Sequence, residues 1–478
     1  MLRKLRIILA LAVFAGIVSL FLLSREGGPG PLSWLAKWQF LPALLAGSVV
    51  IVAVLLLITL VFGRIYCSVL CPMGLLQDGI SYLGSRRKGG KLRFTPSKEK
   101  KWLRYGTWAL FVAALLGGVQ GFVALLDPYG AFGRIMATAS GKVVTLSVVI
   151  VAAVSFVVVA LLSWKNGRTW CNTLCPVGTT LGFFSRFALF RPVIDTEKCK
   201  NCHLCEKGCK ASCIDIAAKK IDYSRCVDCF DCLSSCKFGA LHYRFARRGG
   251  ALAAKIDPSA AGKEAESTAS SSRRAFLSSA GLAIGAATLG AQSKKVDGGL
   301  AAIAGKQNPG RTVPLTPFGS RSVKDFYSKC TACQLCVSAC PNDVLRPSTD
   351  LEHFMQPQMG YENGYCRPEC TDCSKVCPAG AILPIEPAEK IQYHIGVASV
   401  DRSLCVVERD GVHCGNCARH CPVGAIKMVR LDPEDPESLR IPAVDEARCI
   451  GCGACENLCP SRPISAITVN GLHTHIKD

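Results

Sequence analysis

Cys199-Lys200-Asn201-Cys202-His203-Leu204-Cys205-Glu206-Lys207-Gly208-Cys209 decides the fold, and Cys226-Val227-Asp228-Cys229-Phe230-Asp231-Cys232-Leu233-Ser234-Ser235-Cys236 repeats its spacing 27 residues later. Both read C-x2-C-x2-C-x3-C. Three thiols spaced so closely can wrap one face of a cubane iron–sulfur cluster, while the fourth stands far enough beyond to reach a neighbouring cluster. Such motifs therefore come in pairs.

Four more quartets follow: Cys330, Cys333, Cys336 and Cys340; Cys366, Cys370, Cys373 and Cys377; Cys405, Cys414, Cys417 and Cys421; Cys449, Cys452, Cys455 and Cys459. Six quartets predict six [4Fe-4S] clusters as cofactors. Structural zinc sites separate two C-x2-C knuckles by a long loop, which this pattern lacks. Disulfides fit the repeated triple spacing poorly, even in a segment whose export would permit oxidation.

A weaker repeat runs around the cysteines. Asp195, Asp222, Asp401 and Asp445 each stand four residues before the cysteine that opens a motif. Cys236-Lys237-Phe238-Gly239-Ala240, Cys377-Pro378-Ala379-Gly380-Ala381-Ile382 and Cys421-Pro422-Val423-Gly424-Ala425-Ile426 close three others in a shared pattern. Each unit reads as a short strand, a cluster loop and a short helical turn. These features resemble the bacterial two-cluster ferredoxin, an α+β fold, over residues 194 to 245 and about 322 to 470.

Departures from that family carry information. Lys210 and Lys237 replace the proline that usually follows the last cysteine. A lysine near an anionic cluster favours its reduced form, so the potentials are expected to be raised. Cys213 is an extra thiol, readable as an alternative ligand or as a passive small residue. Cys199 to His203 also matches the C-x-x-C-H haem pattern, but its cysteines are needed by the quartet.

Apolar runs at Ile7 to Leu23, Leu41 to Phe62, Tyr105 to Leu126 and Val143 to Trp164 are each long enough to predict a membrane helix. The formal net charge of +21 is uneven, with 38 Lys+Arg against 15 Asp+Glu in residues 1 to 304 and 18 against 20 beyond. Basic residues beside apolar spans mark cytoplasmic loops, so the charge points to membrane lipid and not to nucleic acid. The N-terminus, the basic loop after the second run and the first two quartets are placed in the cytoplasm of a multi-pass inner-membrane protein.

Residues 246–272 read as a linker, and Ser272-Arg273-Arg274-Ala275-Phe276-Leu277 begins a weakly apolar segment over 273–291. It resembles a twin-arginine export signal; an ordinary anchor helix is the alternative. Either reading puts the 292–321 linker and the four-cluster ferredoxin domain 322–478 in the periplasm. The organisation expected is a four-helix membrane domain over 1–192, a cytoplasmic two-cluster domain over 193–245, then linker, fifth helix, linker and exported domain.

Four cysteines remain. Gly63-Arg64-Ile65-Tyr66-Cys67-Ser68-Val69-Leu70-Cys71-Pro72-Met73-Gly74 and Gly167-Arg168-Thr169-Trp170-Cys171-Asn172-Thr173-Leu174-Cys175-Pro176-Val177-Gly178 are copies 104 residues apart. C-x3-C sets two thiols on one helical face, and the proline opens the backbone after it. Together Cys67, Cys71, Cys171 and Cys175 could form one four-thiolate metal site, or they could be two turns with unligated cysteines.

The membrane helices, the paired C-x3-C-P copies and the cytoplasmic ferredoxin resemble the NapH and MauN family. The exported part resembles NapG and MauM. The resemblance implies a fused electron carrier that takes electrons from the quinol pool, with possible quinol dehydrogenase activity, and delivers them to a periplasmic redox partner such as a nitrate reductase system. A NosR-like factor that supplies electrons or metal to another enzyme's cofactor is the alternative reading. No glycine-rich nucleotide motif and no hydrolytic constellation point to any other chemistry.

Overall fold

The computed structural model describes residues 2–23, 31–86, 94, 99–143, 145–245 and 304–478. The linker expected over 246–272, the twin-arginine-like segment 273–291 and the first part of the 292–321 linker lie outside the described residues.

Two helices, Leu2–Leu23 and Leu146–Trp164, are long and apolar enough to cross a bilayer. The other two apolar runs are not single helices, and this corrects the expected set of four full-length spans. Leu41 to Phe62 divides into Phe40–Leu45 and Val49–Phe62 around Gly47, and Tyr105 to Leu126 divides into Lys101–Leu116 and Gln120–Leu126 around Gly118. Gly47 and Gly118 sit at φ +68° and +74°, a left-handed backbone that ends a helix whatever the hydropathy of its neighbours. Ile150, Val154, Val157 and Leu161 are all exposed along one face of the Leu146–Asn166 helix, the apolar stripe expected where lipid replaces water.

Asp127 starts the helix Pro128–Ala139, its carboxylate accepting from the backbone N–H groups of Tyr129 and Gly130. That helix packs on the first one through Phe132, whose ring centroid lies 5.6 Å from Phe14 and 6.4 Å from Phe21.

Two ferredoxin modules share one topology. In the first, strand Phe190–Ile194 pairs antiparallel with Leu241–Phe245, and the short strands Ile214–Asp215 and Lys220–Ile221 pair between them. In the second, Tyr393–Val400 pairs with Ile467–Lys477, and Ile426–Arg430 with Arg440–Val444. Outer strands close each module around two cysteine loops. The repeated aspartates have a shared backbone role: Asp195, Asp222, Asp401 and Asp445 each donate their N–H to a returning strand or loop carbonyl at 2.7 Å. A third unit, around Cys330 to Cys377, has the inner hairpin Leu345–Pro347 and Pro357–Met359, and is opened by the helix Val323–Lys329 instead of an outer strand.

Both ends of the membrane part are covered by these modules. On one side Leu189 donates to Leu60, and Phe190 stacks on Phe62 at 5.8 Å. On the other, Phe21 and Phe132 share a buried apolar core with Ala332 and Leu335.

Candidate functional site

Cysteine-lined cavities occupy the ferredoxin loops. Cys199, Cys202 and Cys205 line one together with Cys236; Cys226, Cys229 and Cys232 line another with Cys209 and the extra thiol Cys213. Cys366, Cys370 and Cys373 share a third with Cys340, and Cys405, Cys414 and Cys417 share a fourth with Cys459. In each, the fourth cysteine comes from the partner motif. The remaining two sets follow the same rule by proximity: Cys377 lies within electrostatic reach of Cys330, Cys333 and Cys336, and Cys421 within reach of Cys449 and Cys452.

The fit to a thiol-bound cluster rests on backbone as well as sulfur. The residues on either side of the second cysteine take left-handed conformations in four motifs: Asn201 and His203, Asp228 and Phe230, Ala332 and Gln334, Gly451 and Gly453. Six of these eight carry side chains, for which positive φ is costly. Successive residues of this kind turn backbone N–H groups inward to form a concavity suited to an anion, a feature of iron–sulfur sites. Cysteine spacing alone did not reveal it. The motifs opened by Cys366 and Cys405, with longer first spacings, lack the paired left-handed residues.

Burial pushes the thiols upward, Cys205 and Cys417 to about 11 and Cys333 and Cys452 to about 12. Metal binding at these sites must therefore displace protons. Cys213, 3.5 Å from Cys209, is the exception in effect: the thiol hydrogen bond between them lowers Cys209 to about 7 and raises Cys213 well above the usual thiol range.

The membrane cysteines converge. Cys175 lies within electrostatic reach of Cys67, Cys71 and Cys171, so the two copies form one buried four-thiol group. Among the described residues, no three His, Cys, Asp or Glu side chains meet closely enough to hold a single metal ion. Sulfurs around one zinc would stand about 3.8 Å apart, given Zn–S bonds of about 2.3 Å.

Two arginines lace the copies together reciprocally. Arg64 donates to the Cys171 carbonyl at 3.4 Å, and its counterpart Arg168 donates to the Cys67 carbonyl at 2.5 Å. Gly178 and Gly74 leave the necessary room, since a Cβ at either would stand 2.7 or 2.6 Å from the crossing guanidinium. Arg64 also donates to Asn172 and to the Ser224 carbonyl, both at 2.9 Å, and reaches Cys67 Sγ at 3.8 Å. It thus joins the thiol group to the ferredoxin loop before Cys226.

That ferredoxin is seated tightly. A Cβ on Gly63 would collide with Asp228, and one on Gly167 with Lys210. Lys210 bridges Asp78 at 3.1 Å and Asp231 at 3.0 Å, while Asp78 also holds Arg168 at 2.7 Å and Arg6 at 2.5 Å. At the opposite end, Gly133 approaches the Cys333 carbonyl so closely that a Cβ would stand 2.3 Å away, and Arg134 donates to Ala332 O at 3.4 Å. Between them, Asp127 is within electrostatic reach of both Tyr66 and Cys333.

Within the last domain, Cys366 N donates to Cys452 O at 3.0 Å, which joins the third unit to the second ferredoxin module. Lys390 enters here from far along the sequence. It is 1% exposed, and its Nζ lies 3.1 Å from Cys366 Sγ and 2.6 Å from Cys370 O.

A family profile described as "4Fe-4S binding domain" matches residues 44–91 and 148–194, which contain the two C-x3-C-P copies; one described as "4Fe-4S dicluster domain" matches 329–381 and 412–462. The chain is 33% identical over 168 residues to the methylamine utilization ferredoxin-type protein MauM of Methylobacillus flagellatus, covering 34% of this chain and 70% of that protein. It is 31% identical over 193 residues to MauM of Paracoccus denitrificans, covering 39% and 82%. Against the ferredoxin-type protein NapH of Haemophilus influenzae it is 34% identical over 162 residues, covering 33% of this chain and 51% of NapH. No solved structure matches. With dicluster profiles on its C-terminal cysteine loops and a MauM protein covered over four-fifths of its length, the chain belongs to the Nap/Mau ferredoxin-type iron–sulfur electron-transfer proteins.

Proposed function

We propose that this chain carries electrons from membrane quinol, through six [4Fe-4S] clusters and a further centre of more than one metal at Cys67, Cys71, Cys171 and Cys175, whose thiols do not meet closely enough for a single ion, to a redox protein on the exported side. The observation that supports the reading is placement: Arg64 joins the four-thiol group to the loop before Cys226, and the Cys333 loop is seated on Gly133 and Arg134 of the same membrane part. Bound clusters would supply one-electron redox chemistry at each quartet. The protein supplies thiolates, inward N–H groups and buried cations to hold them. Beyond Cys333 the order is the Cys330, Cys333, Cys336 and Cys377 set, then Cys340, Cys366, Cys370 and Cys373, then Cys421, Cys449, Cys452 and Cys455, and last Cys405, Cys414, Cys417 and Cys459. The last set is the farthest along this series and is where the partner takes electrons.

Iron and acid-labile sulfide analysis of anaerobically purified protein should give about 24 iron atoms from the six quartets, four per cubane. A metal held by the membrane thiols adds to that number. Stoichiometric zinc with little sulfide would overturn the assignment.

Sidedness follows from the basic loops. A cysteine-free tag at Asp478 should be reached by a reagent confined to the periplasm, whereas one inserted at Gly89 should be protected. Equal protection of the two positions contradicts a two-sided protein.

A further inference from the structure

A groove runs between the first helix and the helix Pro72–Arg86. Its walls are apolar, with Leu11 and Phe14 on one side and Leu76 and Gly79 on the other. One end is strongly polar: Arg6, Asp78, Lys210 and Asp231 meet there in a single ion-pair network. Lys210 directly follows Cys209, and Asp231 directly precedes Cys232, two thiols of the same cavity. The polar end of the groove therefore touches the loops of the ferredoxin set nearest the membrane.

We propose that this groove is the quinol site, with the ring held against Asp78, Lys210 and Asp231 and the isoprenoid tail lying between the two helices. The inference rests on the quinol reading above and assigns it a place. A hydroquinone needs acceptors for its hydroxyl hydrogens and, once oxidised, donors for its carbonyl oxygens; this end offers two carboxylates and several cations. Asp78 is held by three cations and so orients a hydroxyl instead of keeping its proton.

The step balances within the site. Both quinol O–H bonds break, two electrons pass singly to one-electron iron–sulfur acceptors in the adjoining ferredoxin, and two protons leave to water. Arg3, 41% exposed and paired with Asp231 at 2.8 Å, marks the wet rim at which they leave.

Gly79 provides a clean test because a Cβ there meets nothing within 4 Å, so a large side chain enters the groove instead of a neighbour. Gly79→Trp, and Leu11→Trp from the opposite wall, should each raise the KM for decylubiquinol at least tenfold in membranes, with dithionite-reducible clusters and iron content unchanged. Gly106→Trp, also in open space but outside the groove, should behave as wild type. An azido-quinone should label the peptides 2–23 and 72–86 of the wild type, competed by decylubiquinol but not by excess phospholipid.

If quinol reduces the wild type and either blocking variant keeps its full cluster content and an unchanged KM, the site is wrong while the quinol reading stands. Competition by phospholipid alone would make the groove a lipid seat and overturn the site as well. If quinol does not reduce the wild type although dithionite does, the functional reading falls and the site with it.

Discussion

Cys71→Ser and Cys175→Ser are each expected to slow quinol-driven reduction of the exported clusters at least a hundredfold, while dithionite still reduces them fully. The hydrocarbon core is about 30 Å thick, too far for one useful electron hop, so either quinol serves the far side directly or, as proposed above, a centre on the membrane thiols bridges the gap. Cys67, Cys71, Cys171 and Cys175 are buried together and joined through Arg64 to the Ser224 loop. Serine keeps the shape of cysteine but is a poor ligand for a soft metal centre. The exported quartets lie elsewhere in the chain, so their spectra should not change. Stopped-flow spectra of membrane vesicles would show the difference directly. Wild-type rates in both variants would mean that the pairs only shape the backbone.

The second large effect is expected at Lys390. Lys390→Met removes a buried cation 3.1 Å from Cys366 Sγ that also donates to Arg367 O and Cys370 O. A cation beside a cluster stabilises the more negative, reduced state, so its loss lowers the potential. Losing about 1.5 kcal/mol of charge-assisted hydrogen bonding from the reduced form corresponds to a fall of about 60 mV for a one-electron couple. An EPR-monitored redox titration should show one exported centre moving negative by this order, with the others unchanged. If none moves, Lys390 is a packing residue. The same variant should also be less stable, because two buried carbonyls lose their donor, at about 1–3 kcal/mol each.

The sequence was most informative where chemistry requires a fixed spacing. C-x2-C-x2-C-x3-C announced both the loop and the exchange of fourth cysteines, and the cavities pairing Cys236 with Cys199 and Cys209 with Cys226 have that arrangement. It was least informative where backbone or long-range packing decides. Hydropathy read Leu41 to Phe62 and Tyr105 to Leu126 as unbroken because it weighs side chains, whereas Gly47 and Gly118 act through φ. Lys390 stands 24 residues from Cys366 without any motif connecting them, and only the folded chain brings its ammonium to that sulfur. The arginine preceding each C-x3-C-P pair was visible as a repeated letter, but its crossing to the opposite copy was not.

That crossing bears on the symmetry of the chain. An exchange in which residue i of one copy meets residue j of the other, and j of the first meets i of the second, is the signature of a two-fold interface between identical subunits. Arg64 on Cys171 and Arg168 on Cys67 have this form, the two arginines and the two cysteines each being one copy length of 104 residues apart. A polypeptide with a single copy would bury an arginine without its acceptor unless it met a second molecule of itself. The two copies thus meet as the halves of a pseudo-two-fold pair, and they are not identical: Asn172 serves Arg64 while Ser68, at the matching position, does not serve Arg168, leaving one half committed to the ferredoxin loop and the other to Asp78.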